Sequence, residues 1–179
     1  MQLTIHTDGG AKDNGSKNSI GSFGVCARWK KDDLLTKRVT AVQRIDSETN
    51  NQMELRAVIL ALRLAISQND TSNVNIITDS SYVLNGITKW IDGWKSNNWI
   101  KPDKKAVKNK NLWMTLDELN TEANKKFDLK YTKVKGHDGI FENEHIDSVC
   151  TWGMKNLDPN EFRKEITSED KFSFDGEEL

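Results

Sequence analysis

Four acidic residues stand where their carboxylates could act together on a metal ion. Asp8 follows an alternating run, QLTIHTD, that predicts a strand ending at this acid, and Asp79 ends a short apolar run in the same way. Glu54 lies one turn inside an apolar helix pattern, and Asp147 lies in the last predicted helix. If the two strands are neighbours, Asp8 and Asp79 repel each other unless a divalent cation neutralises them, and oxygen ligands suit Mg²⁺.

A second interpretation of these acids stays open at this point. The chain has 27 acidic residues among 179, so several acids are expected at the ends of helices and strands without any shared role. Helix caps and solvated surface groups would account for them equally well. Spacing alone therefore does not decide between a metal site and scattered surface charge.

The elements that carry these acids occur in an order that is typical of an α/β fold. Three strands come first, and strands and helices then alternate, which gives β-β-β-α-β-α-α-β-α and predicts a mixed sheet. The predicted strands cover 2–8, 22–29, 34–43, 74–78 and 129–134, and the predicted helices cover 49–67, a segment from about 80, 112–125 and 142–154. We expect a five-stranded sheet, an antiparallel meander plus parallel strands, flanked by helices.

The helix that carries Glu54 has the clearest pattern in the chain. Thr49 and Gln52 have the spacing of a capping box, which predicts that the helix begins immediately after Thr49. Apolar residues from Met53 to Ile66 occupy nearly every face, so we expect this helix to be largely buried.

Composition limits the class of protein. A length of 179 residues suits one domain, and a mean hydropathy of -0.69 without a long apolar run argues against a membrane-spanning helix. The start, MQLTIHTDGG, lacks the layout of a secretion signal, so we expect a cytoplasmic protein. Cys26 and Cys150 are far apart and have no CxxC partner, which argues against a disulfide framework or a cysteine zinc site. We expect a monomer.

Charge divides the chain at about residue 157. Residues 1–157 carry 23 Lys and Arg against 19 Asp and Glu, a net charge of +4. Residues 158–179 carry eight acidic and three basic residues, a net charge of -5. We predict a catalytic domain over 1–157 and a solvated acidic tail over 158–179. Phe162, Phe172 and Phe174 leave a tail that docks on a protein partner as the alternative.

Five short strings are more specific than the spacing of the acids. TDGG at 7–10, TNNQMEL at 49–55, TDSSYV at 78–83, KGHDG at 135–139 and ENEHID at 142–147 occur in this order. Together they resemble the type 1 ribonuclease H family, in its bacterial single-domain form, over residues 1–157. The resemblance implies a ribonuclease H-like fold and a metal-dependent endoribonuclease that cuts the RNA strand of RNA–DNA hybrids, leaving 5′-phosphate and 3′-hydroxyl ends.

The resemblance also implies roles for individual residues near the metal. Asp8, Glu54, Asp79 and Asp147 match the four carboxylates of the family, which hold two Mg²⁺ ions, with Mn²⁺ as a substitute. His137 matches the mobile histidine that assists proton transfer or product release. Glu144 matches an acidic position that modulates metal occupancy. His6 and His145 match no family role.

Contacts with the hybrid are implied in the same way. The family residues in question correspond to Asn14, Thr49, Asn50, Asn51, Ser81, Trp90, Trp94 and Lys95. The last three belong to residues 88–111, a stretch of tryptophans and lysines that resembles the basic protrusion of the family. For Trp90 and Trp94, packing between helices is the alternative interpretation.

Some residues depart from the family pattern, and two other functions stay open. The loop after Asp8 looks longer than in many relatives, and Gln52 stands where many carry a basic residue. A non-catalytic hybrid-binding module would keep the fold but lose one of the four acids, and all four are present. Another nuclease or strand-transfer enzyme of the same fold would lack the TNNQMEL string and the basic protrusion.

Overall fold

The computed structural model describes residues 1–135 and 139–167, and two short strands near the end of the chain. The described part of the chain contains eight strands: β1 Gln2–Lys12, β2 Ile20–Lys31, β3 Leu34–Asp46, β4 Asn73–Thr78, β5 Asp128–Lys133, β6 Phe162–Thr167, β7 Ser173–Phe174 and β8 Glu177–Glu178. The α-helices in these residues are α1 Asn50–Ile66, α2 Ser81–Asn85, α3 Ile91–Ser96, α4 Lys110–Lys126 and α5 Phe141–Asn156.

The main sheet has the order β5-β4-β1-β2-β3-β6. β1, β4 and β5 are parallel, whereas β1, β2, β3 and β6 form an antiparallel meander. The expected mixed sheet flanked by helices is therefore confirmed, with six strands in place of five. Among the described residues, no helix is long and apolar enough to cross a membrane.

The sixth strand comes from the segment that was assigned to the acidic tail. β6 pairs antiparallel with Arg38–Gln43 of β3 and closes what would otherwise be an open sheet edge. Its sequence, FRKEIT, has three charged residues in a row, which hides the alternation that marks a half-buried strand. An edge strand pairs with a single neighbour. β6 therefore forms because β3 offers a free edge, and not because its own sequence has a strand pattern.

β1 does not end at Asp8, contrary to the sequence prediction. It continues to Lys12 because β2 pairs with it along its full length, whereas its pairing with β4 runs only from Gln2 to His6. Asp8 consequently lies where β1 has lost one of its two neighbours. This position leaves room for a side chain beside the end of β4.

Helices cover both faces of the sheet. α1 packs against β1 and β2 on one face, and α5 packs against the same strands on the other. The predicted capping box is confirmed, since the Thr49 side chain accepts from the backbone N–H of Gln52 and the Gln52 side chain accepts from that of Thr49. The main core, which includes Leu3, Leu62 and Trp113, lies between the sheet, α1 and α4.

The helix predicted from about Ser80 is broken. α2 gives way to a π-helical turn, Gly86–Trp90, before α3 begins. A side chain at Gly86 would collide with the ring of Trp113, so the absence of a Cβ lets this turn lie directly on the core. The widened turn joins α2 to α3, which lies within the stretch of tryptophans and lysines at 88–111.

We predict that Gly9→Ala destabilises the fold and that Gly10→Ala does not. A Cβ at Gly9 would lie 2.5 Å from the carbonyl carbon of Met53 and 2.8 Å from the backbone nitrogen of Glu54, whereas a Cβ at Gly10 meets no atom within 4 Å. Backbone atoms of a buried helix cannot move aside cheaply, so urea denaturation should show a loss of about 1–3 kcal/mol for Gly9→Ala. Equal stability of the two variants would contradict this contact.

Candidate active site

Three carboxylates meet at the end of β4. Asp8 lies on β1 next to β4, Asp79 is the first residue after β4, and Glu54 lies on α1 above β1. One oxygen of each lies within 4.8 Å of the others. β1 and β4 are neighbours in the sheet, which is the condition that the sequence left open, and the two aspartates therefore lie side by side.

Close backbone contacts fix this arrangement. The Thr7 hydroxyl donates to the carbonyl of Ile77 at 3.1 Å, which holds β1 against β4 one residue beyond their last paired position. Gly9 lets the backbone of α1 approach β1 directly at Met53 and Glu54. The carboxylates of Asp8 and Glu54 are thus brought together by main-chain packing, and not by flexible side chains.

α5 brings Asp147 to the same place from the other face of the sheet. The Ser22 hydroxyl donates to the carbonyl of Cys150 at 2.6 Å, and the Cys150 thiol donates to the carbonyl of Asp8 at 3.6 Å. Gly24 leaves room for the side chain of Ile146. Asp147 lies between these contacts, and its charge acts on Asp8.

The cluster is electrostatically strained when it carries no cation. Burial, followed by the charges of Asp147 and Asp79, raises the pKa of the Asp8 carboxyl to about 7. Burial and the charges of Asp8 and Asp79 raise the pKa of Glu54 well above its ordinary value. Each carboxylate therefore costs free energy to ionise, and a divalent cation would remove that cost.

The donor set fits a hard cation. Glu54 Oε2 is buried and, within the described part of the chain, accepts no hydrogen bond. A buried carboxylate oxygen without a donor is unusual unless another positive group satisfies it. Asp8, Glu54 and Asp79 together offer at least three oxygens, the ligands that Mg²⁺ and Mn²⁺ prefer.

The predicted substrate residues at the start of α1 lie together. Asn14 Oδ1 accepts from the backbone N–H of Asn50 at 3.0 Å, and Asn50 Oδ1 accepts from that of Ala11 at 2.6 Å. Thr49 caps the helix beside them, and Asn51 is half-buried. With both amide oxygens engaged, the NH₂ groups of Asn14 and Asn50 are available as donors on this surface.

Two further predicted residues form hydrogen bonds within the chain, and a third, His137, lies outside the described residues. The Ser81 hydroxyl accepts from the Lys133 ammonium at 2.6 Å, and Glu144 Oε1 accepts from the backbone N–H of Gly139 at 3.2 Å. His137 belongs to residues 136–138, which lie outside the described residues. Its predicted role stays a prediction.

The tryptophans of the protrusion divide between packing and exposure. Trp94 is half-buried, with ring centroids 5.3 Å from Trp113 and 5.7 Å from Trp90, whereas Trp90 is 37% exposed. Lys95 lies 2.9 Å from a carboxylate oxygen of Asp117, and this hydrogen bond raises the pKa of the Lys95 ammonium. Trp90 is thus the ring of this pair that presents more surface, and the charge of Lys95 is already paired.

Tyr82 and Cys150 take part in the site, although the sequence analysis singled out neither. The Tyr82 hydroxyl accepts from Trp113 Nε1 at 3.0 Å and from Asn109 Nδ2 at 3.2 Å, which ties α2 to the base of the protrusion. Tyr82 lies inside the TDSSYV string, one turn after Asp79, and this position could have pointed to a role near the site. No sequence feature pointed to Cys150, because a single cysteine on a helix face is usually interpreted as a core residue.

A comparison with known protein families decides the class of this chain. The RNase H family model matches residues 1–155, which include every strand and helix that contributes to the carboxylate cluster. The chain belongs to the ribonuclease H family. As a member, it is a metal-dependent endoribonuclease.

Curated ribonucleases H are similar over nearly their full length. The chain is 40% identical over 158 residues to the ribonuclease H of Roseobacter denitrificans, covering 88% of this chain and 99% of that one. It is 40% identical over 157 residues to the ribonuclease HI of Haemophilus ducreyi, covering 86% and 91%. The family match ends before β6, which begins at Phe162.

Solved structures share the fold. LC9-RNase H1, described as a type 1 RNase H with the type 2 active-site motif, superposes with a TM-score of 0.73 at 25% identity, covering 88% of this chain and 74% of that one. The RNase H domain of PFV superposes with a TM-score of 0.68 at 23% identity, covering 86% and 94%. The second likeness concerns the fold alone.

We predict that the ribonuclease H chain loses stability with rising pH when no metal is present. Asp8 has a pKa of 3.8 as an ordinary group and about 7 in the fold, so the folded state holds this proton more tightly. The proton bound by Asp8 therefore contributes fully to the free energy of unfolding below pH 3.8, and this contribution is lost as pH rises through about 7. Denaturation in EDTA should show the free energy of unfolding falling between pH 3.8 and about pH 7.

The variant Asp8→Asn isolates the effect. It removes the ionisation, so in EDTA at about pH 8 it should be more stable than the wild type by about 1.4 kcal/mol or more, the free energy of one pKa unit. Asp13→Asn is the matched control, because Asp13 is exposed on the turn that follows the same strand. Parallel pH profiles for the wild type and Asp8→Asn would contradict the assignment.

Proposed function

We propose that this ribonuclease H hydrolyses the RNA strand of RNA–DNA hybrids at the cluster of Asp8, Glu54, Asp79 and Asp147. The observation that carries the proposal is the meeting of three carboxylates within 4.8 Å, with Asp147 close enough to act on Asp8. Relatives that are 40% identical over most of the chain and are named ribonuclease H support the same activity.

The four acids act as ligands for two Mg²⁺ ions. Bound there, the ions would supply an acidified water for attack on the scissile phosphate and neutralise charge on the leaving 3′ oxygen, so that products carry 5′-phosphate and 3′-hydroxyl ends. The chain holds the carboxylates on two strands and two helices, so none needs to reorganise when phosphate arrives. Because the pKa values of Asp8 and Glu54 are raised, a bound cation would favour the ionised form of both carboxyls.

His137 assists proton transfer or product release, and Glu144 modulates the occupancy of the metal site. Glu144 lies one helical turn before Asp147 and accepts from Gly139, so it joins the α5 carboxylates to the loop that follows β5. We assign His137 the transfer or release role because of the KGHDG string alone.

Recognition of the hybrid begins at the start of α1. RNA differs from DNA by its 2′-hydroxyl groups, which line the shallow groove of the duplex. Asn50 and Asn51 lie within one turn of Glu54, so amide donors there can contact groove atoms while the carboxylates engage the phosphate. Asn14 and Thr49 lie beside the helix N-terminus, a site that favours a phosphate of the second strand.

The first experiment compares three labelled duplexes, RNA–DNA, RNA–RNA and DNA–DNA, each with Mg²⁺, Mn²⁺ or EDTA. We expect metal-dependent cutting of RNA in the hybrid alone, and loss of cutting in Asp8→Asn. Asp13→Asn is the matched control and should cut as the wild type does. Mapping of the product ends tests the proposed 5′-phosphate and 3′-hydroxyl.

Other outcomes point to the alternatives. Tight binding of the hybrid without cutting would indicate a non-catalytic binding module. Cutting of DNA duplex would indicate another nuclease branch of this fold. Cutting that persists in EDTA would contradict the role of the four carboxylates as metal ligands.

We also predict that Trp90 and Trp94 respond differently to truncation. Trp90→Ala removes the more exposed ring and should weaken hybrid binding about tenfold, an effect of about 1.4 kcal/mol, while stability falls less than in Trp94→Ala. Trp94→Ala removes a ring that packs on Trp113 and should lower the free energy of unfolding by about 2 kcal/mol or more. Binding titrations and urea denaturation of both variants check this, and unchanged affinity in Trp90→Ala would exclude this ring from the interface.

A further inference from the structure

Two arginines face each other across β2 and β3 beneath the start of α5. Arg28 and Arg38 are directly paired in the register of these strands. Glu142, in the first turn of α5, forms ion pairs with both, through Arg28 Nη1 and, at 3.4 Å, through Arg38 Nη2. The side chains of Arg38 and Glu142 are 4% and 9% exposed. This buried arrangement, the Glu142 bridge, plays no part in the chemistry proposed above.

The carboxylate of Glu142 reduces the repulsion between the two arginines. Like charges directly opposite each other on neighbouring strands destabilise a sheet, and burial makes their repulsion stronger. Glu142 offsets that repulsion, and its charge is also favoured by the positive end of the α5 dipole.

The bridge and the Cys150 contacts fix α5 at two points. At its first turn, Glu142 is held to β2 and β3, and two turns later the carbonyl and thiol of Cys150 are held to Ser22 and Asp8. Asp147 lies between these points, five residues after Glu142 and three before Cys150. Release of the first point would let the N-terminal half of α5 lift, and Asp147 would move with it.

We infer that Glu142 is a positioning residue, which through Arg28 and Arg38 holds Asp147 against the Asp8 cluster. The inference rests on the proposed function, because it assumes that Asp147 is a metal ligand. Glu142 touches neither metal nor substrate in this scheme. It acts by fixing the height of α5 above the sheet, so its loss should affect the metal site and the chemical step more than hybrid binding.

The test uses the full chain with Glu142→Gln, which keeps the shape of the side chain and removes its charge. The folded protein is titrated with MgCl₂ by two-dimensional NMR, in which the resonances of folded molecules are resolved from those of unfolded ones. We expect Mg²⁺ affinity to fall about tenfold, and kcat on the hybrid to fall by a similar factor. KM for the hybrid should stay within about twofold, because the start of α1 is unaffected.

Asp128→Asn is the matched control. Asp128 pairs with Lys130 at 3.3 Å at the start of β5, so this variant also breaks an acid–base pair, but one that is exposed and level with Gln2, at the other end of β1 from Asp8. It should bind Mg²⁺ and cut the hybrid as the wild type does. Glu142→Asp keeps the charge and serves if Glu142→Gln does not fold; with one methylene fewer, it should give a smaller loss of Mg²⁺ affinity in the same direction.

The outcomes separate the inference from the proposed function. Reduced thermal stability of the Glu142 variants with wild-type Mg²⁺ affinity and kcat would overturn the positioning role and leave Glu142 a stabilising residue. If the wild type itself neither binds Mg²⁺ at the carboxylates nor cuts the hybrid, the proposed function has failed, and the inference fails with it. A rise in KM without loss of Mg²⁺ affinity would also overturn it, since it would place Glu142 in hybrid binding.

Discussion

Repulsion among the clustered carboxylates is the constraint on which the rest of the structure depends. Oxygens of Asp8, Glu54 and Asp79 within 4.8 Å would separate if the side chains were free to do so. They are prevented by main-chain contacts, namely the pairing of β1 with β4 and the close approach of α1 at Gly9. The fold therefore stores an unfavourable charge arrangement that a cation can relieve, which makes metal binding and local stability the same event.

The rigid backbone of α1 also fixes the distance between the carboxylate cluster and the residues proposed to contact the hybrid. α1 contributes Glu54 to the cluster on one side and the Thr49–Asn51 segment to the donor surface on the other, less than two turns apart. Because one short helix end carries both, the distance between the reacting phosphate and the recognised groove atoms is set by helix geometry. α5 approaches from the opposite face of the sheet, so it adjusts Asp147 without disturbing the donor surface.

Local patterns predicted much of this from sequence. The capping box located the start of α1, and two short runs that end in aspartates predicted the strands β1 and β4, although the sequence did not say whether these strands are neighbours. The failures are all tertiary in origin. β1 runs past Asp8 because β2 continues to pair with it, β6 forms because β3 has an open edge, and the helix after Ser80 is broken where Gly86 meets Trp113. No local pattern contains these partners, so propensity could not supply them.

The same reasoning explains why the Glu142 bridge is invisible in the sequence and why β6 matters to it. The bridge joins three elements, through Arg28 on β2, Arg38 on β3 and Glu142 on α5. These residues meet only because of the β2–β3 register and the position at which α5 packs on the sheet. β6 starts beyond the family match and pairs with β3 as far as Arg38, opposite Thr167. Arg38 therefore lies on a strand that has a paired neighbour on each side, β2 and β6. The residue that holds α5 at the Glu142 bridge is thus fixed in a doubly paired strand, although one of the two neighbours lies outside the family match.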